Sequence, residues 1–260
     1  MDATSKVSVA KYGGGIVSSV EDIIAREYAL TIILDGDELI TLLCTPQNLE
    51  YLAVGFLVSE SIIADRKDVK NIRVFEDKGI VELETTKSST LAKKLYGKRT
   101  MTTGCGKGAT FYNAVDSLSC KIVDSDMKVY AQDILELMRK FNKCSDLFTN
   151  TGGVHSACLC TDKEFLLFHE DIGRHNALDK IIGEAVTKGI ELTDKLILTT
   201  GRISSEILIK AAKRGIPVIV SRSAPTDLAV ELANELGVTV IGFARGARMN
   251  IYSKKERIVY

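Results

Sequence analysis

Cys105 is set in Gly104-Cys105-Gly106-Lys107-Gly108, where three glycines remove side-chain bulk and admit backbone conformations with positive φ. A sulfur framed in this way is open to a large partner. Lys107, with Lys98 and Arg99 nearby in sequence, favours the thiolate, the nucleophilic form. The pattern suits a sulfur acceptor or nucleophile, whereas a structural cysteine would sit in an apolar run. Cys158 and Cys160, in His155-Ser156-Ala157-Cys158-Leu159-Cys160, invite a second reading, a zinc site serving a metal-dependent hydrolase. Their one-residue separation is poor for a metal, and strand alternation puts both sulfurs on one face, so packing is expected and no metal site is predicted. Cys44, Cys120 and Cys144 have no supporting constellation and are expected to be structural.

A second group of residues points to an anion. The segments Thr199 to Ser205, Ser221 to Thr226 and Gly242 to Asn250 each follow a short apolar run, and each carries arginine: Arg202, Arg222, Arg245 and Arg248. Guanidinium groups bind phosphate through paired hydrogen bonds, and glycines allow close backbone approach. Two of the segments lead into helices, whose first N-H groups and dipole favour negative charge. A phosphate-bearing, nucleotide-like ligand is the resulting expectation. The competing one has these arginines solvated or paired with acidic residues. Residues 170 to 176, EDIGRHN, form a third polar group at a strand-to-helix turn, read either as a ligand contact or as an Asp171 helix cap with surface ion pairs. No G-x-S-x-G elbow, Walker A loop or zinc deaminase signature is present, so those chemistries have no support.

The elements that must position these groups follow from periodicity. Leu196 to Leu198, Val218 to Val220 and Val238 to Ile241 are apolar strands separated by helical patterns, a βαβαβ run that implies parallel pairing. Strand C-terminal ends then share one edge, where the arginine-bearing segments gather. The first intervening helix begins near Ser204 and Ser205. The second is assigned Ser223 as N-cap, with Pro225 early and Gly237 as terminator.

Upstream, Tyr28 to Leu34 and Glu38 to Cys44 form a hairpin through Asp35-Gly36-Asp37. A helix over 48 to 63 places Leu52, Gly55, Phe56 and Ser59 on one stripe. A second hairpin pairs Ile72 to Phe75 with Ile80 to Glu84, residues 96 to 110 are a glycine-rich loop, and Ala131 to Lys143 is helical. Together these predict an N-terminal α+β subdomain over residues 1–124, ending in the Cys105 loop, and an α/β ligand-binding subdomain over residues 125–260.

Bulk properties narrow the function. The 260 residues carry 34 basic and 34 acidic side chains, so the chain lacks the global charge of nucleic-acid or anionic-membrane binders and any anion site is local. An apolar signal segment is missing from the N-terminal sequence and no stretch is apolar enough to span a bilayer. The six scattered cysteines suit a reducing, cytoplasmic compartment.

Six ordered blocks carry a resemblance. LAVGFLVSESII (52 to 63), TGCG (103 to 106), TGGVHSA (151 to 157), EDIGRHNALDKIIG (170 to 183), residues 201 to 233 and GFARGARMNIYS (242 to 253) closely resemble the formate dehydrogenase accessory sulfurtransferase family, FdhD. The resemblance runs from about Glu27 onward. It implies a homodimer with a cytidine deaminase-like α/β fold, working in the maturation of molybdenum- or tungsten-dependent formate dehydrogenase. Its partners would be a cysteine desulfurase and the formate dehydrogenase catalytic subunit. Sulfur would pass as a persulfide to the bis-molybdopterin guanine dinucleotide cofactor (Mo-bis-MGD). Cys105 matches the family's persulfide cysteine, and Phe243, Ala244, Arg245, Gly246, Ala247 and Arg248 match its cofactor-binding segment.

One position departs from the family pattern. Members commonly carry a Cys-x-x-Cys pair in this loop, and here Gly108 stands at the second position. A persulfide needs one thiol only, so two alternatives follow: a single-cysteine relay, or a cofactor-binding chaperone without sulfur transfer.

Overall fold

The computed structural model describes residues 1–86, 99–101 and 120–260, the middle stretch as backbone only. Cys105 and its neighbours Lys98, Lys107 and Gly108 lie outside the described residues. The chain opens on a hairpin of two ten-residue strands, β1 (Thr4–Gly13) and β2 (Ile16–Ala25), paired only with each other among the described residues. Next come β3 (Tyr28–Leu34), β4 (Asp37–Cys44), the helix α1 (Leu49–Ser59), β5 (Val69–Phe75), β6 (Ile80–Thr85) and β7 (Arg99–Met101). These strands form a five-stranded sheet in the order β5-β6-β3-β4-β7. Both expected hairpins are present, but β3 pairs β6 in parallel and β4 pairs β7 in parallel, so the sheet is mixed. Residues 96 to 110 are therefore not wholly loop, since Arg99–Met101 adds a strand at the sheet edge.

The remainder contributes β8 (Val129–Tyr130), α2 (Ala131–Phe141), α3 (Asp146–Thr151), β9 (His155–Cys160), β10 (Phe165–Asp171), α4 (Arg174–Lys188), β11 (Leu196–Thr199), α5 (Ser205–Lys213), β12 (Val218–Ser221), α6 (Asp227–Leu236), β13 (Thr239–Arg245), β14 (Arg248–Ile251) and β15 (Ile258–Val259). A six-stranded sheet runs β10-β9-β11-β12-β13-β14, with β11, β12 and β13 parallel as expected and β9, β10 and β14 antiparallel to their neighbours. Strand alternation divides its side chains between two cores. Leu159, Ile197, Ile219 and Val240 join the core shared with α1, α4, α5 and α6. Cys158, Cys160, Leu196, Leu198, Val218, Val220 and Ile241 join the other, closed by Ile134, Met138 and Phe141 of α2.

The first core also takes in Leu30, Ile32, Val81 and Leu83 of the five-stranded sheet, so one apolar body continues from that sheet through α1 and α4 to the other. The helices meet at two glycines. A Cβ on Gly55 would lie 1.8 Å from the Asp179 carbonyl oxygen, and one on Gly183 would lie 1.9 Å from that of Tyr51. Only glycine permits backbones this close.

Buried charges secure the same junction. Asp179 accepts from Ser59 Oγ at 2.7 Å and from Lys210 Nζ at 2.6 Å, tying α1, α4 and α5 together. The expected N-cap at Ser223 is displaced to Thr226, whose hydroxyl accepts from Ala229 N. Ser223 instead donates its N-H to Ser221 Oγ, and Pro225 is held in a bridge to Ile203, which delays the helix. Among the described residues no helix is long and apolar enough to cross a membrane.

Candidate functional site

The C-terminal ends of β11, β12 and β13 gather at one edge, as parallel pairing requires. Because β9 runs antiparallel to β11, its first residues reach that edge as well: Thr200 N donates to the Ser156 carbonyl at 3.1 Å. A cleft of about 360 Å³ lies there. Its polar lining includes His155, Ser156, Thr200, Arg222, Ser223 and Arg245, and Phe141 and Phe148 contribute an apolar wall. The mixture of one apolar wall and converging donors is what a ligand with a ring and an anionic group needs.

The segment expected to be a loop after β13 is mostly strand. β13 continues to Arg245, the chain turns at Gly246, and β14 returns from Arg248, which pairs with Arg245 in register. The pairing slips between Gly242 and Arg245, and Phe243 in the slipped stretch has φ of 52°. A non-glycine residue in the left-handed region is uncommon, and strain of this kind gathers at functional sites. The Phe243 N-H donates to the Ser223 carbonyl at 3.0 Å, which holds the conformation, and its ring is 40% exposed. Arg245 Nε donates to the Arg222 carbonyl at 2.9 Å, so the two arginine segments are latched together. Ala244 is buried, whereas Gly246, Ala247 and Arg248 are exposed. Of the four arginines singled out in the sequence, Arg222 and Arg245 line the cleft. Arg202 and Arg248 are exposed beyond it. Ion pairing is not what occupies these side chains, because among the described residues no salt bridge reaches any of the four.

Asp171 departs from the cap and surface-pair reading of the 170 to 176 segment. Its carboxylate is wholly buried, 2.7 Å from Lys180 Nζ. Oδ2 also accepts from Thr45 N and Oγ1, and Oδ1 from Gly173 N and Asn176 Nδ2. The α4 N-cap is Gly173, with no side-chain cap. Asp171 therefore fixes the β10 to α4 turn from inside instead of pairing at the surface.

The sequence offers His155 only as a metal candidate, whereas the structure sets it in the cleft wall. The signal needed was the antiparallel direction of β9, which sequence periodicity does not reveal. Its Nδ1 lies 3.4 Å from Thr200 Oγ1. Burial first, then the basic neighbours Arg174, His175 and Arg202, hold its pKa below the usual imidazole value. Cys158 and Cys160 do share a face, with sulfurs 3.4 Å apart and both side chains buried. His155 has opposite parity on the strand and points away from them. Among the described residues no group of three or more His, Cys, Asp or Glu side chains is arranged to hold a metal ion.

A mixed α/β fold of several sheets and six described helices, with an arginine-lined cleft at one sheet edge, defines the class of protein. The chain belongs to the FdhD/NarQ family, whose model matches residues 25–259. It is 44% identical to the sulfur carrier protein FdhD of Bacillus subtilis (strain 168), over 98% of this chain and 97% of that protein. It is also 44% identical to the sulfur carrier protein FdhD of Listeria innocua, over 99% of this chain and 100% of the other. A crystal structure described as a formate dehydrogenase accessory protein from Desulfotalea psychrophila shares the fold, with a TM-score of 0.80 at 24% identity, covering 99% of this chain and 100% of that one.

Proposed function

We propose that the chain is a sulfur carrier for formate dehydrogenase maturation. The Cys105 thiolate attacks the outer sulfur of a cysteine desulfurase persulfide, forming a Cys105 persulfide and releasing the donor thiol. That sulfur is then passed to Mo-bis-MGD, the substrate, seated against Phe243 to Arg248. The observation that carries the cofactor half of this reading is Phe243, a half-exposed aromatic ring held at positive φ between two latched arginine segments. A ring so fixed offers a stacking face for a purine while guanidinium groups meet its phosphates. The naming of its relatives as sulfur carriers supports the sulfur half. A homodimer in the cytoplasm with cytidine deaminase-like topology, meeting both a desulfurase and formate dehydrogenase, belongs to the same proposal.

Gly108 favours a second reading, a cofactor chaperone without sulfur transfer, because the partner thiol of the family loop is absent. Mass spectrometry after incubation with a cysteine desulfurase and cysteine separates them. The carrier gains one sulfur at Cys105, and Cys105→Ala abolishes both the adduct and formate dehydrogenase maturation. A chain that gains no adduct yet still supports maturation overturns sulfur transfer and leaves the chaperone.

A further inference from the structure

Arg174, the first residue of α4, lies beside the cleft but outside its lining. Its stem crosses the chain after β11: a Cβ on Gly201 would lie 2.8 Å from Arg174 Cβ and 3.1 Å from its Cδ. Gly201 stands between Thr200, whose hydroxyl is 3.4 Å from His155 Nδ1, and the exposed Arg202. Three basic side chains from β9, α4 and the segment after β11 are thereby brought to one place. Arg174 and Arg202 bring like charge together, with His155 beside them as a neutral ring, and among the described residues no salt bridge reaches either arginine. Arg174 Nε is buried with no hydrogen-bond partner. Glu206, whose charge favours protonated Arg174, is also 3.0 Å from His175 Nε2, and Asp171 is engaged by Lys180. The first turn of α4 contains no acidic residue. Such crowding of like charge is unfavourable in the free protein, and a bound anion relieves it. Burial first and then Arg202 lower the affinity of Arg174 for its proton, against the smaller opposing pull of Glu206.

We propose that Arg174, Arg202 and His155 form a phosphate subsite that grips the terminal phosphates of a nucleotide whose base lies toward Phe243. The subsite extends the cleft away from the Phe243 to Arg248 segment, with Thr200 and His155 as the shared border. The nucleotide assignment rests on the ligand reading given above, whereas the anion site itself stands on the Arg174, Arg202 and His155 geometry.

Calorimetry on the full chain tests it with inorganic pyrophosphate, GDP and guanosine as probes. The wild-type chain binds pyrophosphate, and GDP more tightly than either pyrophosphate or guanosine. Arg174→Gln and Arg202→Gln each weaken pyrophosphate and GDP by about tenfold or more, as expected for a lost charge-assisted hydrogen bond, and leave guanosine unchanged. Arg202 is exposed, so Arg202→Gln keeps the test decisive even if Arg174→Gln fails to fold. Arg73→Gln, on β5, controls for net charge and changes nothing. Wild-type affinity for pyrophosphate in both subsite variants overturns the proposal, as does no pyrophosphate binding by the wild type. Equal affinity for pyrophosphate and GDP overturns the nucleotide assignment. Failure of the sulfur-carrier reading shows separately, as no Cys105 adduct with pyrophosphate binding intact.

Discussion

Lys180 Nζ lies 2.7 Å from Asp171 Oδ2, and neither side chain reaches solvent. Lys180 also donates to Thr45 Oγ1 at 2.7 Å and to the Glu170 carbonyl at 3.2 Å, so the pair joins β10, α4 and the chain after β4. Removing one partner leaves a buried charge uncompensated, which costs about 3 to 5 kcal/mol. Lys180→Met is expected to lower the urea midpoint accordingly with an unchanged slope, and Asp171→Asn with Lys180→Met to recover part of the loss. A single variant within about 1 kcal/mol of wild type would show that water or rearranged hydrogen bonds replace the pair.

The crossing of α1 and α4 gives a second prediction. Gly55→Ala and Gly183→Ala each drive a methyl group into a backbone carbonyl, at 1.8 and 1.9 Å before relaxation. Rigid backbone on both sides cannot yield as a side chain would, so the helices must separate and open the core between the two sheets. The cost is expected at or above the upper end of the ~1–3 kcal/mol typical of overpacking. Denaturation midpoints decide this, and a loss smaller than about 1 kcal/mol would mean that the helices slide apart freely.

The βαβαβ run, both Asp-Gly or Lys-Gly hairpins and the stripe bearing Gly55 are legible in sequence because one buried face imposes a period. The β1 to β2 hairpin has no such face. Tyr12, Ile16 and Val17 are 74%, 71% and 66% exposed, and the alternation is confined to Lys6-Val7-Ser8-Val9, whose valines are only half-buried. Arg245 and Arg248 conceal the end of β13 and the start of β14, since charged residues at a sheet edge read as loop. The cleft was half visible. Its arginines could be placed by parallel-strand logic, but His155 arrives on an antiparallel strand, and Asp171 looks like a cap until Lys180 is found beneath it.

The thiols differ in accessibility, which bears on where sulfur can reside. Cys144 is exposed and donates to the Lys140 carbonyl at 3.3 Å, with burial as the first cause of a modest upward pKa shift. Burial pushes Cys44 up to about 12. The hydrogen bond with Cys160, then burial, pushes Cys158 up as well. Iodoacetamide at pH near 8 is therefore expected to modify Cys144 in the native chain and to spare Cys44, Cys158 and Cys160, by roughly a hundredfold or more in rate, until urea opens the core. Peptide mapping reads the result. Rapid native labelling of Cys158 or Cys160 would contradict the packing of β9, and Cys144→Ser removes the competing surface thiol from the persulfide measurement.

Stability should fall as pH drops below about 6.5, and His169 supplies a defined part of the fall. Asn48 Nδ2 donates to its Nδ1 at 3.1 Å, so Nε2 carries the proton and donates to Glu184 Oε2 at 2.5 Å. Burial lowers the His169 pKa and outweighs the opposing pull of Glu184. His155 is lowered too, by burial and then by Arg174, His175 and Arg202. In the unfolded chain both rings protonate near the ordinary value of about 6.5, while in the folded chain they remain neutral to lower pH. The unfolded state therefore binds more protons in that interval, and the free energy of unfolding declines as pH falls through it. Glu206, held below the usual carboxylate value first by its close contact with His175 Nε2, adds a loss only at more acidic pH. Urea titrations between pH 7.5 and 5 should follow this course, with a shallower slope in His169→Gln. Stability that is flat or rising as pH is lowered across that range would mean that the folded protein protonates these rings at least as readily as the unfolded chain.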